Sequence, residues 1–261
     1  MVKIKKITLF IILTILIIFQ ACSGIKNNID ADLRKKYDKG IELFNKKKYV
    51  RAIEQFQYII MNNPGSKISI DSQFYLAESK FYNEDYVEAS SEYTLFIRWS
   101  TDLNKIEEAK YKIASCAVNS VNDFQKDQKE TLAALNLLQE FIDEYPNSKK
   151  INECEKLVDE LRNKLAKKEY ETARLYLKLE KYDSAIIYFN QIINEYYDTI
   201  FYEKSHIGIM FSYDINGNDS LFTNYYNKNI NQIKSEENLI IARKIKDGSI
   251  NRFEQLKLLY R

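Results

Sequence analysis

Apolar side chains follow two different patterns along this chain of 261 residues. Residues 7–19 form one continuous apolar run that only Thr8 and Thr14 interrupt. Beyond residue 30, apolar residues return at the spacing of helix turns, most clearly from Ile151 to Leu179, where no breaker occurs and one long helix is predicted. The whole chain has two prolines and six glycines, so helices are favoured over turn-rich β architecture.

A recurrent set of small and aromatic residues lies within the helical region. Gly40, Ala52, Phe56 and Pro64 are separated by 12, 4 and 8 positions, and Tyr49 lies between the first two. Small residues let two helices cross closely, an aromatic ring fills the groove beside them, and proline ends the second helix. These intervals match the tetratricopeptide pattern of 34 residues.

The same pattern returns along the chain. An offset of 37 residues leads from Gly40 to Ala77, and again to Ala114. The third repeat has an insertion near residues 120–129, and the fifth is degenerate and precedes two closing helices, Asn238 to Lys246 and Ile250 to Tyr260. The other repeat positions are Tyr86, Ala89 and Tyr93 in the second repeat, Ala134, Leu138, Phe141 and Pro146 in the third, Ala173, Tyr176, Tyr182, Ala185, Phe189 and Ile192 in the fourth, and Gly208 in the fifth. We predict an all-α, right-handed tetratricopeptide-repeat solenoid of about five helix pairs; a generic antiparallel bundle is the alternative.

The N-terminus has the features of an export signal. Three lysines at positions 3, 5 and 6 precede the apolar run, which is short for a membrane span. The run ends at Ala21–Cys22, which resembles a bacterial lipobox, although Phe19 and Gln20 depart from its preferred residues. We predict a signal peptide over residues 1–21, lipidation at Cys22 and a tether over residues 22–30, then repeats 1–3 over 31–146 and repeats 4–5 with the closing helices over 147–261. An unlipidated signal peptide or an uncleaved anchor is the alternative.

Charge and residue content argue against several function classes. The net charge is +2, or 2 − 3 = −1 without the leader lysines, which gives no reason to expect nucleic-acid binding. The single histidine, His206, has no cysteine at ligand spacing, so no metal site is predicted. Glycine-rich nucleotide loops and the G-x-S-x-G motif do not occur in the sequence. We therefore expect no cofactor and no enzymatic activity; an enzyme with an unrecognised site would require a pocket of perturbed carboxylates.

Two further cysteines, Cys116 and Cys154, lie inside predicted helices. In an oxidising compartment they can pair, or each can be a small buried apolar residue. The sequence leaves both alternatives open.

A solenoid of helix pairs has a hollow face lined by the first helix of each pair, which suits an extended peptide or a helix. Aromatic residues beside single charges on this face suggest a site for a C-terminal aromatic residue and its carboxylate. A role in the core is the alternative for each residue. The predicted groove residues are Arg34, Tyr37, Ile41, Phe44 and Asn45 in the first repeat and Asp71, Phe74, Glu78, Phe81 and Tyr82 in the second.

Several segments together resemble the BamD family over about residues 19–200. They are the lipobox at Cys22 and Tyr37–Gly40, Tyr49–Phe56, Phe74–Ala77, Asn83–Tyr86, Glu140–Ser148, Ile151–Cys154, Leu157–Arg162 and Lys181–Ala185. The resemblance implies a lipoprotein of the β-barrel assembly machinery on the periplasmic face of the outer membrane. It also implies that the C-terminal repeats bind the POTRA domains of the barrel-forming subunit and that the N-terminal repeats bind unfolded barrel precursors. Another periplasmic scaffold lipoprotein, serving a cell-wall, secretion or motility complex, is the alternative.

Overall fold

The computed structural model describes residues 31–251, 254 and 257. The predicted signal peptide, lipidation site and tether lie outside these residues, and most of the second closing helix does too. Within the described residues the secondary structure consists of helices and turns, without strands. The chain forms two compact units that meet in sequence between Ser120 and Val121.

The first unit contains five antiparallel helices in its described part, residues 31–120. Their bounds are residues 31–45 for α1, Tyr49–Asn62 for α2, Lys67–Tyr82 for α3, Tyr86–Trp99 for α4 and Leu103–Asn119 for α5. Consecutive helices pack against each other around two apolar clusters that share α3. Helix α2 ends two residues before Pro64, as predicted, and Ser66 and Asp102 accept hydrogen bonds from backbone N–H groups at the starts of α3 and α5.

The second unit contains six α-helices and one short 3₁₀ turn in its described part. The bounds are Lys129–Glu144 for α6, Ile151–Lys178 for α7, Tyr182–Glu195 for α8, Phe201–Ile215 for α9, Asp219–Asn229 for α10, Ile230–Gln232 for the 3₁₀ turn and Glu236–Lys246 for α11. The predicted long helix is confirmed, since α7 runs over 28 residues. One apolar cluster joins α7 to α11.

Close helix crossings explain the small residues of the repeat pattern. A Cβ atom at Gly40 would lie 2.7 Å from a ring carbon of Phe56, and one at Gly208 would overlap the ring of Phe189. The alanines at the matching positions in the second helices, Ala52 and Ala185, are fully buried. At these two crossings, α1 with α2 within a repeat and α8 with α9 between neighbouring repeats, only a small side chain fits, as the tetratricopeptide-repeat fold requires.

The turns between paired helices share one backbone feature. A residue with positive φ lies two positions before the second helix: Lys47 at 57°, Glu84 at 68°, Glu180 at 59° and Gly217 at 69°. Three of these four are not glycine, so their side chains bear the steric cost of the left-handed region. The turn geometry thus recurs even where the glycine that would suit it is absent.

Both described cysteines are free and buried. Cys116 belongs to the apolar cluster of α3, α4 and α5. Burial raises the pKa of the Cys116 thiol to about 12 and that of the Cys154 thiol to about 11. Both therefore behave as small apolar residues with inert thiols rather than as reactive groups.

Candidate peptide-binding groove

Aromatic rings join the first helices of the first two repeats. Tyr37 and Phe44 are seven residues apart on α1, which is two turns, and both rings reach α3. The ring centroid of Tyr75 lies 6.0 Å from that of Tyr37 and 5.9 Å from that of Phe44. Tyr82, two turns after Tyr75, lies 5.8 Å from Phe44. The face shared by α1 and α3 is therefore mainly aromatic.

The predicted groove residues differ widely in exposure. Phe74 and Glu78 are 6% and 7% exposed, whereas Tyr82 is 48% exposed. Phe74 packs edge-on against Phe96 with a centroid distance of 5.1 Å, which places it in the core of the first unit. The others are divided between half-buried positions (Tyr37, Ile41, Phe44, Asp71 and Phe81) and exposed ones (Arg34 and Asn45).

Two ion pairs connect α3 to α5. Lys105 Nζ lies 3.1 Å from Asp71 Oδ1, and Lys112 Nζ lies 3.4 Å from Glu78 Oε1. The acids are seven residues apart on α3 and the lysines seven apart on α5, so the two pairs lie two turns apart along the same faces. The Tyr93 hydroxyl donates a second hydrogen bond to Glu78. The deeper carboxylate thus has two partners, as a buried charge requires.

The ammonium group of Lys112 also contacts aromatic rings. Its Nζ lies 4.2 Å from the ring centroid of Phe81 and 4.8 Å from that of Tyr82. This places a cation on the faces of two residues predicted to line the groove. The contact helps to fix the positions of the Phe81 and Tyr82 rings.

Burial raises the pKa of two tyrosine hydroxyls of this region, those of Tyr37 and Tyr93. Burial, and after it the neighbouring Tyr75 and Asp71, raises the pKa of Tyr37 to about 12. Burial and the adjacent Glu78 raise the pKa of Tyr93 much further. Both hydroxyls therefore remain hydrogen-bond donors across the physiological pH range.

Three residues of this face are missing from the sequence-based prediction: Tyr75, Lys105 and Lys112. The prediction stops at the second repeat, and the two lysines belong to the third. Asp71 and Lys105, like Glu78 and Lys112, are 34 residues apart, whereas the matching repeat positions Ala77 and Ala114 are 37 apart. The paired charges therefore do not occupy matching repeat positions, and the repeat pattern alone gives no signal for these pairs.

The single histidine is buried in the second unit. His206 Nδ1 lies 2.8 Å from the Tyr225 hydroxyl, and the ring packs edge-on against Tyr202. Burial lowers the pKa of His206 to about 4, so the imidazole is neutral near pH 7. No group of three or more metal-binding side chains occurs in the described residues. These contacts are those of a packed core histidine.

None of the described helices combines the length and apolar content needed to cross a bilayer.

The sequence of this chain matches a known protein family. The profile of the YfiO family, described as an outer membrane lipoprotein family, matches residues 30–220. The chain belongs to the YfiO family. This match confirms the resemblance inferred from the sequence, and it covers the first unit from residue 30 onward and most of the second up to the start of α10.

Two curated relatives of the chain carry the same name, outer membrane protein assembly factor BamD. The protein of Rickettsia prowazekii (strain Madrid E) is 30% identical over 190 residues, 72% of this chain and 76% of the relative. That of Caulobacter vibrioides (strain ATCC 19089 / CIP 103742 / CB 15) is 25% identical over 163 residues, 62% of this chain and 53% of the relative. Among solved structures, the TPR domain of P58(IPK) matches 88% of this chain and 59% of its own at 14% identity, with a TM-score of 0.42. That score is too low to support an argument, so the fold assignment rests on the helix pairs described above.

Proposed function

We propose that this chain is an outer-membrane lipoprotein scaffold of the β-barrel assembly machinery. In this proposal, lipids on Cys22 anchor it to the periplasmic face of the membrane. The C-terminal repeats, residues 147–261, bind the POTRA domains of the barrel-forming subunit. The N-terminal repeats, residues 31–146, bind unfolded barrel precursors before they insert. The chain acts by binding and catalyses no reaction.

One observation carries this proposal. The chain matches a BamD relative over 72% of its own length and 76% of the relative's at 30% identity, and the YfiO family profile matches residues 30–220. A scaffold role also agrees with the paired helices, because such repeats offer extended surfaces for protein partners.

The aromatic face of the first unit supports precursor binding. Tyr82 is exposed although Tyr49 stacks on its ring, and Phe44 and Phe81 are half-buried beside it, so a peptide ring can pack against the exposed edge of Tyr82. Among the cations of this face, the side chain of Arg34 is 68% exposed and that of Lys105 is 32% exposed. Either can donate to the carboxylate that ends a peptide.

The acidic side chains of this face repel a peptide carboxylate only weakly. Asp71 and Glu78 are each paired with a lysine of α5, so their negative charges are compensated locally. A peptide carboxylate therefore meets aromatic rings and partly exposed cations rather than isolated acids. We propose Phe44 and Tyr82 as contacts for an upstream aromatic side chain of the peptide, and Arg34, ten residues before Phe44 on α1 or about 15 Å along the helix, as the contact for its terminal carboxylate, with Lys105 as an additional cation.

Co-purification tests the assembly role. An affinity-tagged full-length chain is recovered from detergent-solubilised envelope after mild crosslinking. We expect a POTRA-bearing barrel protein as a stoichiometric partner. Recovery of a cell-wall, secretion or motility complex in its place refutes the proposal and supports another scaffold role for the same fold.

The anchor is tested separately on the mature N-terminus. We expect mass analysis of the protein from membranes to show acyl chains on Cys22, and Cys22→Ser to abolish them. An unmodified cysteine in the wild-type protein refutes the anchor without bearing on the partners.

Peptide binding tests the groove. A fluorescent peptide with phenylalanine at its last position and at an upstream position about 14 Å away in extended form is titrated with the full chain, once with a free carboxylate and once as the amide. We expect Tyr82→Ala to weaken binding by about tenfold, or about 1.4 kcal/mol, because it removes an exposed aromatic contact. Arg34→Ala should weaken binding of the acid form and leave the amide unchanged.

Val87→Ala is the matched control for these variants. Val87 is also exposed in the first unit, at 71%, but it lies on α4 outside the aromatic face. We expect it to bind both peptides like the wild type. Equal weakening by Val87→Ala and Tyr82→Ala means that the peptide does not use the groove.

A further inference from the structure

A second surface of the first unit has a different composition from the groove. A cavity of about 370 Å³ opens where α2 ends, α3 begins and α4 ends. Its walls are mainly apolar and include Ile60, Pro64, Ile70, Leu95 and Trp99. Unlike the groove, this cavity lies where helices terminate and is not lined by the face shared by α1 and α3.

Large apolar side chains are exposed around this cavity. Trp99 is 63% exposed and Leu95 is 40% exposed, and both line it. Met61 follows Ile60 in the last turn of α2 and is 80% exposed, and Leu103 begins α5 and is 77% exposed. We call these four residues the tryptophan end. Such a cluster marks an interaction site more often than a solvated surface.

The chain also enters the first unit at this end. Helices α1 and α2 are antiparallel. The Nζ atom of Lys36, in the second turn of α1, lies 4.1 Å from the ring centroid of Tyr58, near the end of α2. The first described turns of α1 therefore lie beside the last turns of α2, next to the cavity. Residues 22–30 can span at most about 30 Å when fully extended, so lipids on Cys22 would keep this end close to the bilayer.

We propose that the tryptophan end contacts a phospholipid bilayer, with Trp99 in the interfacial region. This inference rests on the proposed anchor at Cys22 and extends it, because the fold itself then takes part in membrane contact. Tryptophan suits this place since its ring is apolar and its N–H can meet the polar headgroups.

Charges at the same end agree with a phospholipid surface. Lys67 in the first turn of α3 and Arg98 in the last turn of α4 are exposed, and their cations suit phosphate groups. The nearby acid Asp102 is engaged by the backbone N–H groups of Asn104 and Lys105. The contact can be weak and still be occupied, because the anchor raises the local lipid concentration.

Trp99 is the only tryptophan of the chain, so its fluorescence reports this surface alone. The full-length protein purified from membranes is reconstituted into vesicles of phosphatidylethanolamine and phosphatidylglycerol, with or without bromine on the acyl chains. We expect brominated lipid to lower the Trp99 emission about twofold, and the lipid surface to shield Trp99 from iodide.

The matched control moves the tryptophan along the same helix. In Trp99→Phe/Val87→Trp, the fluorophore lies 12 residues earlier on α4, about 18 Å away at the other end of the unit. Val87 is 71% exposed, so its exposure matches that of Trp99. We expect the control to remain open to iodide and to show little quenching by brominated lipid.

The outcomes separate this inference from the proposed anchor. Equal quenching at both positions, or at neither, overturns the membrane contact. Shielding of Trp99 only when envelope proteins are added also overturns it and indicates a protein partner. If mass analysis finds no acyl chains on Cys22 but brominated lipid still quenches Trp99, the anchor fails and the membrane contact stands.

Discussion

Replacing Gly40 by alanine tests how tightly the first helix pair is packed. The new Cβ would lie 2.7, 2.8 and 3.2 Å from three carbons of the Phe56 ring, whereas carbon atoms pack at about 3.5–4.0 Å. The ring is fully buried and cannot move aside easily, because Tyr75 stacks on it at 5.8 Å and Tyr37 meets its edge at 6.0 Å. The added methyl group must therefore displace the helices.

Two effects of opposite sign determine the size of the change. Overpacking a core costs about 1–3 kcal/mol, and occasionally more. Alanine is favoured over glycine inside a helix by about 1 kcal/mol. We therefore expect Gly40→Ala to lower the free energy of unfolding by up to about 2 kcal/mol, although helix propensity alone predicts an increase.

Urea unfolding measures this effect. Far-ultraviolet circular dichroism follows all helices, and the fluorescence of Trp99 follows the first unit. Phe56→Leu provides the control, because a smaller side chain makes room for the methyl group. In the double variant we expect Gly40→Ala to become less harmful by about 1–2 kcal/mol. A rise in stability for Gly40→Ala alone would refute the close crossing of α1 and α2.

Three further predictions address turns, protonation and ion pairs. Glu84→Gly should stabilise the fold by up to about 1 kcal/mol, since glycine tolerates positive φ. Gly217→Ala at the same turn position should destabilise the fold by about 1 kcal/mol. Urea unfolding measures both changes, and changes of equal sign contradict the shared turn geometry. Burial lowers the pKa of His206 to about 4 from 6.5, so the unfolded chain takes up the proton first and stability falls by up to about 3 kcal/mol as the pH drops from 6.5 to 4. Unfolding at several pH values should show this slope in the wild type and lose it in His206→Gln; an unchanged slope places its origin elsewhere. Lys112→Ala should lower the free energy of unfolding by about 3 kcal/mol, because it leaves the buried Glu78 carboxylate with one partner fewer. Lys105→Ala should lower it by less than about 1 kcal/mol, because the side chains of that ion pair are each 32% exposed. Equal losses in urea unfolding refute the role given to burial.

The exposure of the groove residues could not be predicted from the sequence. Phe74 and Tyr82 are both aromatic residues of α3 in the predicted set, yet one is 6% exposed and the other 48%. Their difference depends on α4 and α5, which cover Phe74 with Phe96 and leave the end of α3 open. Residue type and spacing cannot supply this, because exposure depends on which neighbouring helix reaches each position.

The sequence by itself determined the helix pairs. Close crossings need small residues such as Gly40 and Ala52, and a proline such as Pro64 must end a helix. Because these steric requirements are local, the type and spacing of the residues are enough to predict the repeat. The sequence also specified α7, since helical spacing without breakers extends from Ile151. Only the tertiary structure decided which charges pair across helices and which apolar residues remain exposed at the tryptophan end. Those outcomes depend on how neighbouring helices align, and that alignment is set by the packing of the whole unit rather than by any one segment.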